Sequence, residues 1–112
     1  MDERIHAIDA VAAYFDVLSE PMRLRIMHIV CESEKTVSQI VEELGASQTN
    51  VSRHLGIMHR NGVLARRKQG NRVYYSSADT TMVELCRAIC KNISRRMDDK
   101  LPLRRELLRP MH

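Results

Sequence analysis

The chain has 112 residues, a formal net charge of +4, 44% hydrophobic residues and only four aromatic side chains, one Phe and three Tyr. That length suits a single domain, and a core short of aromatics must be packed from Leu, Ile, Val, Met and Ala, which favours helices over a sandwich. The longest run free of Asp, Glu, Lys and Arg is Leu44 to Ser52, which excludes a membrane-spanning helix of about 20 apolar residues. The charged start MDERIHAIDA has no apolar segment of the signal-peptide kind, so a cytoplasmic chain is expected. In that compartment three Cys are expected as free thiols, and an odd count argues against a disulfide scaffold.

Ile5, Ile8, Val11, Ala12, Phe15 and Leu18 recur at steps of three and four and predict a first amphipathic helix over residues 4–18. Ser19-Glu20-Pro21 reads as a cap with Pro in the first turn of a second helix, PMRLRIMHIVCES, which buries some combination of Leu24, Ile26, Met27 and Val30. Thr36 starts a short third helix with Val37, Ile40, Val41 and Leu44 on one side, and Gly45 ends it. Ser47 caps a fourth, QTNVSRHLGIMHRN, with Val51, Leu55 and Met58 inward.

Val63 to Lys68 and Arg72 to Ser76 then form two short strands around Gln69-Gly70-Asn71. Asp79 caps a long last helix with Met82, Leu85, Cys86, Ile89, Cys90, Ile93 and Met97 on one stripe. The order is α-α-α-α-β-β-α, a mainly α fold with a β-hairpin, and it divides into a domain over residues 1–97 and a tail over 98–112. A short helix is expected in that tail around Leu103 to Leu108.

Charge is segregated along this order. Residues 1–45 sum to −5, residues 46–78 carry six bases and no acid, and residues 79–112 sum to +3. A 33-residue window without a carboxylate is a candidate surface for a polyanion. Within it, Gly45-Ala46 joins two short helices in the helix-turn-helix manner, the second helix being the one that enters a major groove. The fourth helix offers Ser47, Gln48, Thr49 and Asn50 in its first turn, then Ser52, Arg53 and His54. These are the amide, hydroxyl and guanidinium groups that base edges and phosphates accept. The hairpin adds Arg67, Lys68, Gln69, Asn71 and Arg72 for adjacent phosphates or a minor groove. Double-stranded DNA is therefore the expected partner.

LSEPMRLRIMHIV, the stretch TVSQIVEELGASQTNVSRHLGIMHRNGVLARRKQGNRVYY and the long helix after it resemble the ArsR/SmtB winged helix-turn-helix repressors over about Leu18 to Ile93. The resemblance implies a homodimer through the first and last helices, a palindromic operator and an inducer that releases the DNA. It implies no required cofactor. The family's well-known metal sites do not carry over. The arsenic and cadmium type has Cys-x-Cys where this chain has Thr36-Val37-Ser38. The zinc and nickel type retains only Asp79, with Thr81, Asn92 and Arg95 at its later positions. Asp79 is simplest as a helix cap. The thiols of the persulfide-sensing type fall at His28 and Ser94, about one turn from Cys31 and Cys90.

Cys86 and Cys90 stack at a spacing of four, and with Cys31 they are the candidate inducer site, for a thiophilic metal or metalloid or for redox or persulfide chemistry. Equally, thiols on an apolar stripe serve as small core residues. No pattern of an enzyme active site is present. The competing reading from another class is a dimeric winged-helix module that contacts protein and does not bind DNA sequence-specifically.

Overall fold

Every helix after the first begins where the sequence supplies a cap. The computed structural model describes residues 3–97, and the expected tail, with its short helix, lies outside them. Helix α1 spans Glu3–Val17 and α2 spans Pro21–Val30. Pro21 sits in the first turn of α2, and the Glu20 side chain caps it by accepting from Arg23 N at 3.1 Å. The Arg23 guanidinium in turn closes the end of α1, donating to Val17 O at 2.6 Å and Asp16 O at 3.1 Å. Helix α3 (Val37–Leu44) carries a full capping box between Thr36 and Gln39 and ends on Gly45 at φ 62°. A Cβ at Gly45 would meet nothing within 4 Å, so its requirement is one of backbone conformation alone. Ser47 caps α4 (Gln48–Arg60) and Asp79 caps α5 (Thr80–Arg96), as their sequences lead one to expect.

The hairpin is β2 (Leu64–Gln69) and β3 (Arg72–Ser77), joined by Gly70-Asn71. Gly70 has φ 61° and among the described residues no non-Gly residue has positive φ, the sign pattern of a II′ turn. One strand was not expected. Lys35–Thr36 forms β1 and pairs antiparallel with β3, Lys35 opposite Tyr75 and Thr36 opposite Tyr74, giving the sheet order β1-β3-β2. Two residues are too few to show a period, so only the pairing reveals them.

The core lies between α2, α3, α4, the root of the hairpin and the first turns of α5. Ile26, Met27, Ile40, Val51, Leu55, Met58 and Met82 have no solvent exposure at all. On α2 the inward set is Ile26, Met27, Ile29 and Val30, while Leu24 faces out. The α5 stripe is only partly used: Met82 and Cys86 are buried, Leu85, Cys90 and Ile93 half-buried, and Ile89 exposed. Helix α1 leaves its apolar stripe uncovered within the chain. Its apolar positions Ile5, Ile8, Val11 and Phe15 are each at least half exposed, Ile8 reaching 68%. Tyr14 is one polar tether of α1, donating to Asp79 Oδ2 at 2.8 Å, where burial and then the Asp79 contact push the phenol up to about 12. No helix among the described residues is long and apolar enough to cross a membrane.

Leu55→Ala removes a fully enclosed side chain and is expected to destabilise the fold by about 2–5 kcal/mol. Thr36→Ala removes a cap and is expected to cost about 1 kcal/mol. Urea midpoints in which Thr36→Ala proves the more damaging would contradict the placement of Leu55 at the centre of the core.

Candidate nucleic-acid interface

Val51, Leu55 and Met58 turn one side of α4 into the core, and the opposite side carries short polar groups. Ser47, Gln48, Thr49, Ser52 and Arg53 are exposed and Asn50 is half-buried. The Ser47 hydroxyl is occupied as the cap, accepting from Asn50 N at 3.2 Å. Arg53 Nη2 donates to Asn50 Oδ1 at 3.0 Å, so the amide and the guanidinium are presented as one unit.

His54 does not join them. Expected on the polar face, it is 3% exposed and turns inward. The reason is positional: residues 51, 54, 55 and 58 make a complete i, i+3, i+4, i+7 set, so the side that buries its apolar members sweeps in the histidine as well. Its Nε2 lies 3.1 Å from Arg53 Nη2 and 3.8 Å from Glu20 Oε2. Burial first, then Arg53 and Arg23, hold its pKa below the usual value against the opposing pull of Glu20.

The hairpin places its bases on two faces. Opposed pairs share a side of the pleat, so Arg66 and Lys68 lie with Tyr75 and Val73, while Arg67, Gln69 and Arg72 lie with Tyr74 on the other. Lys68, Gln69, Asn71 and Arg72 are exposed. So is Arg66, which was not among the expected contacts although it belongs to the same basic run. Arg67 is not free to reach outward. Its guanidinium forks onto Glu34, Nε to Oε2 at 2.9 Å and Nη2 to Oε1, while Nη1 donates to Gln69 Oε1 at 2.7 Å. It also stacks over the Tyr74 ring at 4.4 Å from the centroid. A pair 33 residues apart leaves no trace in local sequence.

The three thiols are free: Cys31 lies just past the end of α2, and Cys86 and Cys90 lie four residues apart on α5. Cys31, half-buried, donates to His28 O at 3.3 Å. Just beyond it, Glu32 is paired with Arg87 at 3.5 Å. Burial pushes the Cys86 thiol up to about 11, with further upward contributions from Cys90 and then Cys31. Burial also raises Cys90, and it raises Cys31 against the lowering effect of Arg87. All three thiols are therefore protonated at neutral pH and weakly nucleophilic. Among the described residues no three His, Cys, Asp or Glu side chains are grouped to hold a metal ion. Asp79 serves as the cap of α5, its Oδ1 accepting from Met82 N at 3.0 Å.

The Glu34–Arg67 tie has a definite pH signature. The guanidinium holds the Glu34 carboxyl below the ordinary carboxylate value. A carboxyl depressed on folding contributes stability above its unfolded pKa and loses it as pH falls through the folded one. Glu34→Gln is thus expected to lower the urea midpoint slightly at pH 7, by an amount that vanishes in strong acid. A difference that persists unchanged in strong acid would rule out the ion pair as its source.

A model of the arsR family of bacterial regulatory proteins matches residues 20–65. An uncharacterized HTH-type transcriptional regulator of Mycobacterium tuberculosis is 31% identical over 97 residues, covering 86% of this chain and 85% of that one. A probable mercury resistance operon repressor of Streptomyces lividans is 32% identical over 77 residues, 69% of this chain and 62% of its own. The crystal structure of the M. tuberculosis protein aligns over 80% of this chain and 91% of that one with a TM-score of 0.74. A homodimeric winged helix-turn-helix DNA-binding domain from Mycobacterium bovis, 23% identical, aligns over 90% and 94% with a TM-score of 0.78.

Proposed function

We propose that this chain, which belongs to the arsR family of bacterial regulatory proteins, is a DNA-binding transcriptional regulator acting in the cytoplasm as a homodimeric repressor of a palindromic operator. The observation that carries the reading is the division of α4. Its apolar side is wholly enclosed, which presents Gln48, Thr49, Asn50, Ser52 and Arg53 together on the free side beside the Ser47 cap. A helix fixed in this way offers base edges bidentate donors and acceptors near its N-terminus. Lys68, Gln69, Asn71 and Arg72 on the hairpin reach the flanking phosphates or minor groove. Arg67 joins them once the DNA competes it away from Glu34.

The exposed apolar positions of α1, with Leu24 and Ile89, make residues 1–97 a unit that is completed by a second copy. Two copies related by a two-fold axis present two α4 helices to two half-sites. Ile8→Asp places a charge in that face and is expected to yield a monomer by sedimentation, with loss of selective DNA binding. A dimer that survives Ile8→Asp places the contact elsewhere.

The inducer acts at Cys31, Cys86 and Cys90, through a thiophilic metalloid or a persulfide. Protonated thiols, one buried and two half-buried, react slowly at rest and alter packing when modified.

The test is fluorescence anisotropy of a labelled duplex from upstream of this protein's own gene, against excess random duplex. Selective binding is expected, with log affinity falling linearly in log salt at a slope near −0.9 per phosphate contacted. Arg53→Ala should weaken binding to that duplex by about 1–3 kcal/mol and binding to random duplex far less. Arsenite or a persulfide should release the complex, and Cys86→Ser with Cys90→Ser should abolish the release. Equal binding of both duplexes would overturn the regulator in favour of a protein-binding module.

A further inference from the structure

His54 lies at the centre of α4 without reaching the polar surface of that helix, and its two ring nitrogens are in different situations. Nε2 is 3.1 Å from Arg53 Nη2, whereas Nδ1 is buried with no hydrogen-bond partner. The same Nη2 is 3.0 Å from Asn50 Oδ1. An Nη2 group carries two hydrogens, so it can serve both acceptors at once, provided that Nε2 bears none.

We propose that His54 is a positioning residue for Arg53: its neutral ring, protonated at Nδ1, accepts from the guanidinium and holds it against Asn50 on the free side of α4. The opposite tautomer would set an Nε2 hydrogen against those of Arg53. It would also aim at Glu20 Oε2 across 3.8 Å, too far for a hydrogen bond. Nothing near Nδ1 competes for the choice. For its consequence, though not for its geometry, the proposal rests on the DNA-binding reading.

Protonation dismantles the arrangement. The charges that act on the ring are Glu20 and Arg23 from the start of α2 and Arg53 from α4 itself; among the described residues α3 and β2 contribute none. A second ring proton removes the acceptor from Arg53 and sets two positive groups side by side, with Glu20 Oε2 attracting the charged ring from 3.8 Å. Affinity that depends on Arg53 therefore falls as pH drops below the usual histidine range. Added positive charge on surface histidines would strengthen phosphate contacts, so the sign is diagnostic.

The experiment has two independent parts. Long-range proton–nitrogen NMR of the free protein at neutral pH should show His54 neutral with its hydrogen on Nδ1; a hydrogen on Nε2 overturns the proposal without reference to DNA. In anisotropy with the upstream duplex, His54→Leu should lose affinity by the same factor as Arg53→Ala, on the order of tenfold, and the double variant should lose no more. His54→Gln keeps an acceptor that does not titrate; it should bind like the parent at pH 7.5 and lack the decline in acid. Losses that multiply in the double variant, or an acid decline that survives His54→Gln, count against the proposal. Should His54→Leu fail to fold, the Gln variant and the NMR measurement still decide. If the parent shows no selectivity between duplexes, the DNA-binding reading fails while the NMR measurement still tests the ring.

Discussion

Enclosing Val51, Leu55 and Met58 leaves α4 with no freedom to roll. Successive residues are about 100° apart around a helix, so once one side is committed to the core the direction of every other side chain follows. Gln48, Thr49, Ser52 and Arg53 are turned outward for that reason, and His54 is turned inward for the same reason. The short connection Gly45-Ala46 then sets the angle at which α4 leaves α3, with Gly45 supplying the left-handed turn. The placement of the polar side is thus a by-product of packing, and packing of this density yields little to local strain.

Elements that repeat with a period, or that start and stop on a recognisable cap, are legible in the sequence. Thr36, Ser47 and Asp79 act as caps, and Gly70-Asn71 turns the hairpin. Pairings across long separations are not. The strand Lys35–Thr36 exists only because Tyr74 and Tyr75 lie opposite it, and Arg67 is drawn onto Glu34 by a contact that composition assigns to two unrelated charge blocks. His54 is an intermediate case: the complete i, i+3, i+4, i+7 set is there in the sequence, but the polar character of the side chain suggests the other side of the helix. The apolar stripe of α1 is plain as a stripe and still says nothing about what covers it, since a helix face buried within a chain and one buried between chains have the same pattern.

The acidic and basic halves are less separate in space than along the chain. Cys31-Glu32-Ser33-Glu34 carries two carboxylates in opposite directions, Glu32 to Arg87 on α5 and Glu34 to Arg67 on β2. Exposed pairs of this kind contribute little to stability. They do establish proximity, and the same short segment begins with the Cys31 thiol. Four consecutive residues therefore connect the last helix and the hairpin.

Thr36 holds two offices at once. Its backbone lies opposite Tyr74 in the sheet, and its hydroxyl accepts from Gln39 N at 3.2 Å to begin α3. The hairpin is consequently rooted in the residue that starts the helix-turn-helix. Any tilt of β3 is felt at the first turn of α3, and through Gly45 at α4. The hairpin is in this sense an extension of one continuous lever and not an appendage that could be exchanged on its own; a hairpin transplanted from a relative would need its matching residues at 34–36 to keep the two reading elements in step.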